Sequence, residues 1–414
     1  MNSLLSKNII YSKVQIQLFF VFVLIGILNF ANYSFLNYNF SGIQSSNSFL
    51  LVIRNLRPVI PLIFLFYLCS NRLWRLKISN LIRQNMFVFL LCFIFIANSI
   101  ISSNGLNSFL YSVWLFTSIV VIALTVKEAN HIIVVLRLLK LSSLITLVIV
   151  LFSFPILLES GGQETYFSSK TYYAYALLIY FLAELFIFQC IKINKHRIFR
   201  LIVLFLILIA LFASGRRAPT ICAIIALAIY LFNYSKFIFV IIISLLTVFG
   251  TTFISNNFFG FQLNESMTYK RIIRVDKSDG YKDSSYSDRK ILWNRYLENF
   301  DDSPIIGKGL DTSTSNLEKY NMGYLDGFGY HNTFLQILVE SGIIGFIFFL
   351  IFLNKVLFNF FVLKGKLFLL YSSILSPTLI INWVETNFLP GQVFFVFSLT
   401  IWFLLKLKIY NHEL

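Results

Sequence analysis

Two arginine pairs and one histidine hold most of the chemistry that this sequence offers. Arg216 and Arg217 fall in a short stretch, Ser214-Gly215-Arg216-Arg217-Ala218-Pro219, between two apolar runs, and Arg54 and Arg57 stand near the start of another. Paired guanidinium groups at the edge of an apolar helix present forked donors suited to a phosphate or a carboxylate. Snorkelling to lipid headgroups is the plainer role for the same side chains. His331 stands just ahead of Asn332, Thr333 and a long apolar run. It therefore sits at the mouth of a helix for which Asn332 or Thr333 is a suitable N-cap. A neutral imidazole there can take a proton from a hydroxyl or orient a phosphate oxygen; helix capping is the plainer alternative. The four cysteines, Cys69, Cys92, Cys190 and Cys222, lie in apolar stretches without CxxC pairing and read as small hydrophobic filler. No Asp-x-Asp or histidine cluster calls for a metal.

The elements that must position these residues are set by composition. Of 414 residues, 58% are hydrophobic and only 13% are charged. A soluble domain carries roughly a quarter charged residues, because its surface faces water. The apolar runs are continuous rather than alternating, which predicts transmembrane helices and not a barrel. A window of about 20 residues places spans at 17–34, 49–70, 86–103, 106–126, 141–158, 171–191, 198–214, 217–233, 236–254, 333–353, 366–384 and 388–405. The stretch 17–33 has no small-residue cleavage site before polar sequence and reads as the first anchor. The expected protein is all-α and integral to a membrane, with about twelve helices. It divides into helices 1–9 (1–254), one large loop (255–332), and helices 10–12 with a short tail (333–414).

Charge orients this layout. With the N-terminus inside, the short cytoplasmic segments hold nineteen basic residues, whereas the short external ones hold only Arg54, Arg57, Lys170, Arg216 and Arg217. This bias predicts cytoplasmic termini and an external long loop, and it accounts for the net charge of +16 without nucleic acid. The two arginine pairs break the rule, so some other demand must keep them. The loop itself is nearly neutral, with ten basic and eleven acidic residues. Residues 287–300 read as an amphipathic helix with Ile291, Leu292, Trp293, Tyr296, Leu297 and Phe300 on its apolar stripe. That helix stops at Asp301-Asp302-Ser303-Pro304, a turn cluster.

The order of these pieces resembles the O-antigen ligase/polymerase superfamily. Arg289-Lys290-Ile291-Leu292-Trp293 is followed by Asp302-Ser303-Pro304-Ile305-Ile306-Gly307-Lys308-Gly309, then His331-Asn332-Thr333-Phe334-Leu335-Gln336 and Glu340-Ser341-Gly342. The family's Ser-Arg-type motif at an outer helix end is matched by Ser214-Gly215-Arg216-Arg217, in which either arginine can occupy the family position. The resemblance covers about residues 200–355.

It implies a glycosyltransferase of the bacterial inner membrane, multi-pass, working on glycans carried by undecaprenyl diphosphate. Arg216, Arg217 and Arg289 would hold the diphosphate, and His331 would be the catalytic base. Trp293, Tyr324, Tyr330, Asn332, Arg54 and Arg57 become candidate glycan or acceptor contacts, and neither a cofactor nor a metal is implied. Partners implied are the lipid-linked donor, a glycan or lipid A core acceptor, and membrane lipids, with a flippase and a chain-length regulator nearby. The reaction expected is polymerisation of surface polysaccharide, with ligation to lipid A core as the alternative. A transporter for lipid-linked sugars is the reading from another class. It would want ionisable residues near the membrane midplane, where Glu184 is the clearest.

Overall fold

The computed structural model describes residues 72–100, 170–190, 197–213, 216–237, 300–309 and 331–384, most of 108–120 and 293–298, and a few single positions. Among these residues every regular element is a helix. They are α1 (Arg72–Gln84), α2 (Met86–Asn98), α3 (Lys170–Cys190), α4 (Arg197–Ala213), α5 (Arg217–Tyr234), α6 (Thr333–Val362) and α7 (Gly365–Val384). The spans expected at 17–34, 49–70, 141–158, 236–254 and 388–405 lie wholly or mostly outside the described residues, as does most of the loop.

Where hydropathy and structure overlap, helix starts agree to within a residue, because each run is bounded by charge, glycine or a turn. Helices α5 and α6 are long and apolar enough to cross a membrane, and the end of α1 with α2 passes the same test only as a pair bent by 100°. Helix α2 stops at Asn98, short of the expected 103, and two larger features depart from the expectation. Helix α1 lies in a polar stretch that a search for apolar runs passes over, and it meets α2 at a bend of 100°. Helix α6 runs nine residues past the expected end at 353 and is broken at Gly342, where φ is 66° and ψ is −175°.

Packing fixes the relative direction of the helices. Phe87 at the start of α2 meets Phe348 of α6 at 5.9 Å, and Lys355 lies 4.8 Å from the Phe87 ring. Asn98 at the other end of α2 reaches the carbonyl of Glu340, so α2 and α6 are antiparallel. Phe186 of α3 packs on Tyr371 near the start of α7, while Phe188 packs on Tyr230 near the end of α5. Helices α3 and α5 are thus parallel to each other, and antiparallel to α7. One end of the bundle gathers Asn98, Arg217, Thr333 and Trp383; the opposite end gathers Met86, Cys190, Tyr234 and Val362.

Glu184, in α3, is buried to 2% exposure near that opposite end. Its carboxylate takes Lys140 at 2.5 Å and Arg200 at 3.6 Å, so one anion binds two cations from separate segments. Removing one member of a buried ion set strands the others and costs several kcal/mol, less here because both cations are about a quarter exposed. Glu184→Ala is expected to destabilise the bundle by about 2 kcal/mol, read as a lowered Tm of purified protein in detergent. An unchanged Tm would show that the ion set contributes nothing.

Candidate functional site

Two helix N-termini lie at the Arg217/Thr333 end of the bundle. Arg216 caps α5 in an extended conformation (φ −92°, ψ 107°), and Arg217 is the first helical residue. Pro219 is tolerated in that first turn because its missing N–H would have had no helical partner. Thr220 locks the turn: its hydroxyl donates to the carbonyls of Arg216 at 2.8 Å and Leu211 at 3.0 Å, joining α5 to the end of α4. Arg216 is half-buried and Arg217 exposed. Both guanidinium groups thus spring from a helix N-terminus, whose dipole itself favours an anion.

His331 precedes α6. Asn332 is the N-cap, as expected, and its side-chain oxygen accepts from the Leu335 N–H at 3.0 Å. Among the described residues, His331 is the single non-glycine with positive φ, at 47°. Left-handed backbone is disfavoured for L-residues, and it persists where the surroundings over-determine it. Phe334, in the first turn of α6, lies 5.6 Å from Trp383 at the end of α7. Helix α7 in turn packs along α5, where the Cys222 thiol sits 3.8 Å from the Pro377 carbonyl. This chain of contacts puts Arg216, Arg217, His331 and Asn332 at one end of the bundle.

Helix α6 itself holds a device that the sequence hides. In an uninterrupted helix the N–H groups of Ile343 and Ile344 would donate to the carbonyls of Val339 and Glu340. The break at Gly342 separates both pairs, and the loop segment 304–309 takes their place. Ile343 N donates to Pro304 O at 2.9 Å and Ile344 N to Ile305 O at 3.2 Å. In return, Lys308 N donates to Val339 O at 3.2 Å and Gly309 N to Glu340 O at 2.9 Å. Two bonds within the helix are exchanged for four to the loop. Asn98 of α2 donates its amide to the Ile306 carbonyl and fastens the loop from the other side. Gly307 and Gly342 touch backbone to backbone: a Cβ on Gly307 would stand 2.4 Å from the Glu340 oxygen, and one on Gly342 would stand 2.3 Å from the Ile305 oxygen.

The helix preceding this segment is anchored by Tyr296, buried to 1% exposure, with Trp293 half-buried on the same side. Leu297, expected on the apolar stripe, is instead exposed at 45%, so the inward face runs through positions 293, 296 and 300. Burial, and then the negative charge of Glu340, raise the pKa of the Tyr296 phenol and keep it neutral. Glu340 is fully buried and receives the Gln336 amide at 3.0 Å. Arg289, Tyr324, Tyr330, Arg54 and Arg57 lie outside the described residues. The sequence marks Tyr296 only as part of an apolar stripe and Gln336 and Glu340 only as motif positions, and it gives Asn98 no distinguishing mark. The usable signal was a glutamate and a glycine inside an apolar run, paired with a Gly-x-Gly upstream. No three His, Cys, Asp or Glu side chains gather to hold a metal ion among the described residues.

The fold and this site define a helical membrane protein that folds a polar loop onto one end of its bundle. Residues 202–350 match the family model described as O-Antigen ligase, which starts in α4 and ends in α6. Within that segment lie the arginine turn, the docked loop and His331. The Exopolysaccharide production protein ExoQ of Rhizobium meliloti is 30% identical over 103 residues, 23% of this chain and 24% of that protein. The match therefore spans about a quarter of the relative's length. Together these matches bear out the resemblance to the O-antigen ligase/polymerase superfamily, and the family model covers the segment that forms the site.

The glycine contact is directly testable. Gly307→Ala and Gly342→Ala are each expected to undock the loop, seen as faster trypsin cleavage at Lys308 and a lower Tm. Gly365→Ala is the control: its φ is +58° but nothing lies within 4 Å of the added carbon. It should cost only about 1–2 kcal/mol of left-handed strain and leave cleavage at Lys308 unchanged.

Proposed function

We propose that this chain is a glycosyltransferase of the bacterial inner membrane that joins glycans carried on undecaprenyl diphosphate, and that it is a polymerase of surface polysaccharide. The reading is carried by one observation: the strained His331 and the Arg216/Arg217 turn stand at the same end of the bundle, each at a helix N-terminus. In the proposed topology both termini are cytoplasmic and this end faces the periplasm with the loop.

The reaction follows from the groups available. An acceptor hydroxyl oxygen bonds to the anomeric carbon of the donor sugar, and His331 takes the hydroxyl proton. The bond from the anomeric carbon to the diphosphate oxygen breaks, and undecaprenyl diphosphate leaves with the electron pair. Displacement at the opposite face inverts the anomeric centre. Arg216, Arg217 and Arg289 hold the diphosphate and stabilise the charge that grows on it; these arginines, rather than a metal ion, supply the positive charge. Trp293 and Tyr330 offer sugar platforms, and Asn332 a contact for the acceptor. Ligation of finished glycan to lipid A core would use the same groups with a different acceptor. A flippase and a chain-length regulator would be working partners of either enzyme. The transporter reading loses its leading feature, since Glu184 is held by Lys140 and Arg200 near the other end of the bundle.

A deletion strain separates these readings. A single repeat unit on lipid A core is expected; naked core with carrier-linked polymer would mean ligase, and no glycan at the outer face would mean flippase. Complementation with His331→Ala should fail at normal membrane abundance. Loss of a general base costs about 10²–10⁴ in rate, so normal-length glycan from that variant would remove His331 from the chemistry. The double variant Arg216→Lys with Arg217→Lys should also fail to restore chain length, because lysine keeps the charge and loses the fork.

A further inference from the structure

The bundle end away from the site carries its own charge pattern. Helix α1 has four basic residues, Arg72, Arg75, Lys77 and Arg83, and no acidic one. It turns 100° away from the axis of α2, a helix that packs antiparallel along the membrane-crossing α6. A helix at right angles to a spanning helix lies in the plane of the membrane surface. Its two faces differ: Ile78 is buried at 6% exposure with Leu81 and Ile82 packed on the core, whereas Arg75, Ser79 and Arg83 form an exposed stripe at four-residue spacing. Leu76, beside that stripe, is 58% exposed. Lys236, Lys355 and Lys364 are exposed at the ends of α5 and α6 on this same side of the bundle.

We propose that α1 is an interfacial helix whose Arg75 and Arg83 hold the headgroups of anionic phospholipids, at the membrane face opposite the candidate site. A bare positional preference for cations inside needs only charge in a loop. A helix laid flat, packed on the core through one face and showing arginines along the other, is the geometry of a lipid-binding surface. The guanidinium fork fits a phosphodiester, and Leu76 reaches the acyl boundary beside it.

The test is a titration of purified full-length protein in neutral detergent with phosphatidylglycerol or phosphatidylcholine, read by Tm. Phosphatidylglycerol should raise Tm, phosphatidylcholine should not, and the rise should shrink with added NaCl. The double variant R75Q/R83Q should need about 25-fold more phosphatidylglycerol for half the effect, at ~5-fold per arginine near an anionic surface. Its Tm in detergent alone should equal that of the parent. If it does not, Arg83→Gln by itself serves, with about a 5-fold shift expected. Equal responses to both lipids, an unshifted midpoint in the glutamine variant, or the same rise from inorganic phosphate would each overturn the proposal.

Discussion

A backbone polar group in a low-dielectric environment must find a partner within the protein, since an unmet N–H or C=O there costs several kcal/mol. That constraint decides how α6 can break. A glycine at φ 66° opens the helix in its third turn, and four backbone groups lose their partners. The loop segment 304–309 supplies four new ones and can do so only if it lies against the helix at backbone contact distance. Gly307 and Gly342 make that approach possible, and a side chain at either would occupy space already taken by the other strand of backbone. The loop is therefore part of the helix's own hydrogen-bond ladder rather than a flap attached to it.

The position of the site follows. Residues 339–344 are held by the docked loop and from the side by α2, whose Asn98 reaches both the loop and the helix. The helix that carries Trp293 and Tyr296 runs directly into the docked segment, so it is tethered to the same break. Tyr296 and Glu340 bury polar groups at this junction; burial keeps the phenol neutral, which leaves it a hydrogen-bond donor in an apolar setting. His331, one residue ahead of the N-cap, carries an unfavourable φ of 47° at the mouth of this helix. A strained residue at the mouth of a rigid helix is pre-organised, which a histidine acting as a base requires.

Much of the fold was legible because transmembrane helices are bounded by what lipid rejects. The α4–α5 junction was read correctly as a short turn between two helices, since Gly215, Arg216 and Arg217 cannot extend an apolar face. Arg216 and Arg217 stand out in the sequence for a different reason: they break the charge bias that the other short segments follow. The break at Gly342 was not legible from hydropathy, because the residues around it are apolar on both sides and a helix interior tolerates glycine. Only a partner thirty-odd residues upstream gives the glycine its meaning, and no local pattern encodes that docking. Helix α1 was missed by the opposite error. Its alternation of arginine with Ile78, Leu81 and Ile82 is amphipathic, and a search for uninterrupted apolar runs discards amphipathic helices.

The two ends of the bundle solve different electrostatic problems with the same residue type. At the His331 end, Lys308 is paired with Asp302, while Arg216 and Arg217 stand at a helix N-terminus, where the backbone dipole adds to their field. Such an arrangement concentrates positive potential at a point, and a multiply charged anion seated there interacts with both. At the other end, arginine and lysine are spread around the perimeter, and Glu184, the one buried acid among the described residues there, is held by Lys140 and Arg200 rather than exposed. Spread charge gives no binding point for a single ligand, but it matches a surface whose negative charge is itself spread out. Concentrated charge at one end and distributed charge at the other means that the ends differ in what they can bind, not only in which way they face.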